Sequence, residues 1–294
     1  MLPFSLPSPD GSRNSPEWTR AGFRLGDMLV PVLEYNENFA GWSDDLTALH
    51  EDAAGESHPI DVASRDDALA QLRFNLKRIV APTILEIGCS SGFLLKNMLD
   101  AFPTATIVGA DVVREPLFKL ATELPSVPLI RFDLLRCPLP SESFDAVVLL
   151  NVLEHIEDDV GALRQVYRLL KPGGVVIIEV PAGPHLYDAY DKTLMHFRRY
   201  RISDLANKLQ KVGFAVLRSS HLGFLVYPAF AYVKRRNRRV GPSEDRRQLV
   251  VSQASETSTS WLLKTAMTLE RHLGSLFSFP FGVRCLAVGK KLSN

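Results

Sequence analysis

Residues 84–99 read ILEIGCSSGFLLKNML. The apolar run Ile84 to Ile87, broken only by Glu86, stops at Gly88. A second glycine, Gly92, follows, and apolar periodicity resumes through Phe93, Leu94, Leu95 and Met98. That order reads as a buried strand, a tight turn of small residues and a helix, the first strand-to-helix junction of an open α/β sheet. Upstream, RDDALAQLRFNLKRI from Arg65 spaces Leu69, Leu72, Leu76 and Ile79 as a helix that closes before Pro82. Downstream, ATIVGAD, PLIRFD, SFDAVVLL, GVVIIEV and FAVLRSS read as strands. EPLFKLATEL, DDVGALRQVYRLL and ISDLANKLQKVGF read as helices, the last with Ser203 as N-cap and Gly213 just past its end. Such alternation predicts an α/β, doubly wound, mostly parallel sheet of about seven strands, Rossmann-like. The closing GVRCLAVGKK is expected to return as an antiparallel strand beside FAVLRSS.

The remaining segments suggest a division of the chain. Residues 1–75 read as an N-terminal extension with cap helices, the first twenty or so rich in Pro and Ser and loose. Residues 76–221 form the core, 222–281 an aromatic, basic and helical insertion over the cleft, and 282–294 the final strand. With 294 residues, 46% of them hydrophobic and 23% charged, and a net charge of +1, the composition is that of an ordinary soluble protein. It gives no global attraction to nucleic acid, and none is expected as a partner. The three cysteines, Cys89, Cys137 and Cys285, are too dispersed for a disulfide framework or a zinc site, so a cytoplasmic setting is expected and no metal is assigned. The N-terminus has no basic segment leading into an apolar one, as a signal peptide would. No apolar run approaches the ~20 residues of a membrane-spanning helix. LGFLVYPAFAYV, Leu222 to Val233, lies beside a cluster from Lys234 to Arg247 whose seven Lys or Arg minus two acids give a local +5. This pairing permits a peripheral membrane contact through residues 222–239. The simpler alternative is a lid whose arginines are solvated.

The glycine loop and the strand ends carry the ligand argument. Glycine permits positive φ and close backbone approach, Cys89 and Ser90 are small, and a helix starting near Phe93 aims free N–H groups at a ligand. Asp111 ends the next strand, nineteen positions after Gly92, a spacing that suits a carboxylate accepting from a ribose diol. Asp133 and the stretch from Asn151 to His155 follow the third and fourth strands. A nicotinamide fingerprint needs glycines at relative positions one, three and six. Those positions hold Gly88, Ser90 and Phe93, and only the first matches. Glu86 would repel a pyrophosphate and favour an ammonium-bearing ligand.

Together these segments resemble the class I methyltransferases that use S-adenosylmethionine, of the methyltransferase type 11/12 kind. LEIGCSSG resembles the first motif, IVGADVV the acidic second, RFDLLRCPLP the third, FDAVVLLNVLEHI the fourth and LLKPGGVVIIEVP the fifth, over about residues 80 to 220. HFRRY resembles a segment of one subgroup, and Ser90 departs from the middle glycine of many members. The resemblance implies that Gly88, Cys89 and Gly92, with Ser90 completing their loop, lie against the methionine part, with Glu86 towards its ammonium group. It places Asp111 on the ribose hydroxyls, Val112 on adenine, Asp133 and the Leu134 backbone N–H on the adenine edge, and Asn151 on the methionine side.

Methyl transfer from a sulfonium is an in-line displacement that needs a protein base only when the acceptor is protonated, as a hydroxyl is. His155 and His196 are the candidates, His155 being the more structural of the two because LEH is widespread in the family. The segment HLYDAYDKTLMHFRRYR follows the fifth strand on the ligand side, and Tyr187, Arg198 and Tyr200 are expected to grip the acceptor there. The alternative is an arginine paired with Asp188 or Asp191 that merely pins the loop. The expected activity is methylation of a small-molecule, sugar or lipid-linked acceptor, with oxygen favoured. The rival readings are a membrane-surface or lipid-binding protein with a silent S-adenosylmethionine fold and, behind it, an NAD(P)-binding oxidoreductase.

Overall fold

The computed structural model describes residues 2–12, 14–35, 56–237, 261–274 and 277–293. In chain order the strands are β1 (Glu17–Trp18), β2 (Phe23–Leu25), β3 (Met28–Val30), β4 (Val32–Glu34), β5 (Thr83–Ile87), β6 (Thr106–Asp111), β7 (Leu129–Arg131), β8 (Phe144–Leu150), β9 (Leu170–Pro181), β10 (Phe214–Leu222) and β11 (Arg284–Lys291). The helices are α1 (Pro59–Leu76), α2 (Phe93–Ala101), α3 (Arg114–Glu123), α4 (Asp159–Leu169), α5 (Ala189–Thr193), α6 (Ile202–Val212), α7 (Tyr227–Asn237) and α8 (Trp261–Gly274).

Along β5 and β8, successive side chains enter different cores. Leu85, Ile87, Val147 and Leu149 join one apolar cluster, while Ile84, Ala146 and Val148 join the other. This period of two, with both faces apolar, is what a parallel sheet covered by helices on each side requires. The sheet runs β10-β11-β9-β8-β5-β6-β7-β4. Its β4 to β9 pairs are parallel, and β11 is antiparallel to both β9 and β10. The last strand therefore lies between its two neighbours rather than at an edge.

Among the described residues the sheet has eight strands rather than the expected seven, because β4 adds to β7 in register Val32↔Leu129 and Glu34↔Arg131. A strand of three residues is too short to show alternation in sequence. The Pro- and Ser-rich start is not loose: Leu6, Trp18 and Phe23 are buried, and Phe4 meets Phe144 edge-on at 5.1 Å between ring centroids. Prolines there shape a chain that covers the core instead of leaving it. Two smaller expectations also shift. Helix α1 ends at Leu76, so Ile79 is exposed. Arg201, not Ser203, stands at the N-cap of α6, with no side-chain cap bond, while Gly213 closes that helix at φ 113°.

Leu33 is fully buried in β4. Leu33→Ala should lower stability by about 2–5 kcal/mol, the range for emptying a buried leucine site. Urea unfolding followed by circular dichroism checks this, and a change below about 0.5 kcal/mol, as at a surface site, would show that β4 is not integral to the sheet.

Candidate functional site

The turn after β5 is held open by its backbone. Gly88 and Gly92 have φ of 77° and 73°, and a Cβ at either would run into Val152 or Leu120 respectively. Ser90, where the resemblance leads one to look for glycine, also takes positive φ, at 41°. Its N–H donates to Asp111 Oδ2 at 2.9 Å, and Asp111 Oδ1 accepts from the N–H groups of Val112 and Val113 at 2.7 and 3.1 Å. The N–H groups of Gly88 and Cys89 donate to the Ala110 carbonyl at 2.8 and 3.1 Å. One strand end thus fixes the loop from two sides.

Above this loop lies a cavity of about 980 Å³. Every cofactor residue singled out in the sequence lines it: Glu86, Gly88, Cys89, Ser90, Gly92, Asp111, Val112, Asp133, Leu134 and Asn151. Asp133 also caps a 3-10 turn by accepting from Leu135 N–H at 2.9 Å. Glu86 is buried, and its Oε2 has no hydrogen-bond partner among the described residues. Burial, and next the negative Asp111, push its carboxyl well above the usual range, with Arg65 opposing weakly. A buried carboxyl without a partner is costly, and an ammonium group placed against it would remove that cost. The residues present therefore fit a ligand with a cationic end, a diol and an apolar ring.

The far wall differs from expectation. Tyr200 is buried in the scaffold, donating to Asp159 Oδ2 at 2.8 Å, and Arg198 pairs with the same carboxylate at 2.8 Å. Neither lines the cavity, nor does Tyr187, whose hydroxyl donates to the His196 carbonyl at 2.7 Å. The loop register brings Arg199 and Tyr190 to the cavity in their place. Arg199 Nε donates to both oxygens of Asp191 at 2.8 and 2.9 Å, so the arginine pairing weighed in the sequence is real but belongs to Arg199.

His196 does reach the cavity. Its Nδ1 lies 2.9 Å from Asp191 Oδ1, and its ring meets His155 edge-on at 4.7 Å. Burial lowers its pKa, with Asp191 opposing. Glu154 beside it is fully buried, and neither of its carboxyl oxygens has a hydrogen-bond partner among the described residues. Burial pushes it up to about 8. Glu154 is not among the sequence candidates above; a carboxylate beside a histidine at a strand end is the signal that points to it.

Two ion-pair groups complete the floor. Lys234, the first residue of the basic cluster, turns inward to Asp188 and Asp191 at 2.8 and 3.2 Å, so it is no solvated surface charge. The cluster from residue 238 onward lies outside the described residues. Arg284 on β11 reaches Glu179 at 2.6 Å and Asp61 at 2.5 Å. Leu225 and Val226 just before α7, Phe230 on α7, and Leu263 and Ala266 on α8 roof the cavity. Glu270 on α8 accepts from the N–H groups of Gly223 and Leu225 at 2.6 and 3.0 Å, which ties the two helices to one loop. Among the described residues no helix is long and apolar enough to cross a membrane.

Comparison with known proteins agrees with this geometry. A family model described as a methyltransferase domain matches residues 85–178. A protein of Mycolicibacterium smegmatis described as a probable S-adenosylmethionine-dependent methyltransferase is 28% identical over 47% of this chain and 54% of its own length. This chain thus spans about half of that relative. A protein of Bacillus subtilis described as the uncharacterized methyltransferase YdaC is 31% identical over 49% of this chain and 80% of its own length. In fold, the chain is similar to phosphoethanolamine N-methyltransferase 2 of Haemonchus contortus, solved with S-adenosyl-L-methionine, with a TM-score of 0.51 at 16% identity over 78% of this chain and 53% of that one. With a strand-end cleft suited to the same ligand, the chain belongs to the class I S-adenosylmethionine-dependent methyltransferase family.

Proposed function

We propose that this chain transfers a methyl group from S-adenosylmethionine to a hydroxyl oxygen on a small molecule with an apolar body. The observation that carries this reading is the group of buried Glu154, half-buried His155 and buried His196 in the wall of the cavity, under an apolar roof. When bound, S-adenosylmethionine supplies an electrophilic methyl on a sulfonium. Glu86 then faces its ammonium group, Asp111 its ribose hydroxyls, Val112 and Asp133 its adenine, and Asn151 the methionine side. Asp191 engages Nδ1 of His196 and leaves Nε2 as the nitrogen available to the cavity. His196, with His155 beside it, promotes loss of the acceptor proton. Helices α7 and α8 exclude water and receive the acceptor body.

A lipid-linked acceptor is a narrower version of this reading. Tyr232, Trp261 and Leu262 are 70%, 70% and 63% exposed on the two roof helices, and Leu262 also lines the cavity. Such residues around an apolar mouth would let the chain take its acceptor from a membrane surface.

Calorimetry should show binding of S-adenosylmethionine or its demethylated product and none of NADH; the reverse result would overturn the reading. In the same assay Asp111→Ala should weaken binding by about 1–3 kcal/mol. Once an acceptor is found, His196→Ala should reduce kcat ~10²-fold with cofactor affinity nearly unchanged. Cosedimentation with anionic vesicles at low salt, lost at high salt, is the expected outcome for the lipid-linked version, and no sedimentation at either salt would remove it.

A further inference from the structure

We propose that Glu154, His155 and His196 form a site for one divalent transition-metal cation, open towards the acceptor. One ligand atom from each residue lies within 4.8 Å of the other two. Small side-chain rotations bring such atoms to the ~2.0–2.2 Å bonds of nitrogen and carboxylate ligands. The backbone holds the three together. Glu154 and His155 share the 3-10 turn Leu153–His155 after β8, and the N–H of Phe197 donates to the Glu154 carbonyl at 2.8 Å. That bond staples the His196 segment to the turn.

A second observation points to a ligand. The Glu154 side chain is fully buried at the cavity wall, and neither carboxyl oxygen is hydrogen-bonded among the described residues. Protein interiors leave such a group only where something else satisfies it. The nearby cations do not, since Arg199 is engaged by Asp191, and Arg284 by Glu179 and Asp61.

Asp191 behind His196 supplies the outer partner that fixes a ligating imidazole, holding Nδ1 so that Nε2 is the ligand atom. Two imidazoles and one carboxylate favour manganese, iron, cobalt or zinc over magnesium or calcium. Three protein ligands leave coordination positions open, as in sites that act on a substrate. A cation there would lower the pKa of a bound acceptor hydroxyl, so that its proton passes to water as the acceptor binds and the resulting oxyanion takes the methyl from the sulfonium, which leaves as the neutral thioether product. In that role the inference rests on the oxygen-acceptor reading above, and His196 acts through the ion.

The test uses the untagged full chain, stripped with EDTA, dialysed and titrated with Co²⁺ alone. Visible ligand-field bands should saturate at one ion per chain, and proton NMR should show hyperfine-shifted signals from two imidazole rings. Glu154→Gln and His155→Ala should each weaken binding at least tenfold. Absence of saturable binding, a bound ion without imidazole signals, or affinity unchanged in both variants would overturn the site. The NMR measurement uses the unaltered chain, so it decides the matter even if a variant fails to fold. Calorimetry with S-adenosylmethionine separates the two readings: cofactor binding without Co²⁺ binding removes only the metal site, whereas loss of cofactor binding removes the methyltransferase reading.

Discussion

Asp111 spends both carboxylate oxygens on backbone N–H groups, one from the glycine loop and two from the turn leading into α3. A charged acceptor at a strand end is a strong partner for amides, and here it joins two loops that would otherwise move independently. The positive φ of Ser90 is tolerable because its N–H is held in this way. The cavity floor, the entry to α2 and the entry to α3 all take their positions from that carboxylate. The order of strands then sets where the other polar groups fall, since parallel strands deliver their carboxyl ends to one edge.

The sheet was legible in the sequence because its strands are long enough to show periodicity and are punctuated by turn residues. What escaped notice was short or depended on distant packing. Val32 and Leu33 form a strand only because β7 offers an unpaired edge, and nothing in three residues announces that. Leu6 and Trp18 join a core cluster whose other members lie mostly far along the chain, and a Pro- and Ser-rich composition does not announce that burial.

The site divides along the same line. The half proposed for the cofactor follows directly from strand ends, and the place of its residues along the cavity is legible from their positions in the sequence. The half proposed for the acceptor sits on a loop whose register is set by a capping box between Asp188 and Asp191 and by the left-handed Met195. Neither can be read from HFRRY alone. A shift of one residue sends Arg199 rather than Arg198 into the cavity, and converts Tyr200 from a contact into a buttress. Lys234 escaped for a different reason: a basic run suggests solvent, yet its first member neutralises two buried acids.

The position of β11 has a consequence for synthesis. It is made after β9 and β10 but lies between them, so a chain still lacking it leaves both without their shared neighbour. Those two strands are then exposed edges, the sort that recruit other chains. The same strand brings Arg284 to Asp61 and Glu179, which lack that partner until it arrives. The nascent chain therefore completes its binding chamber late, only once residue 284 has been made.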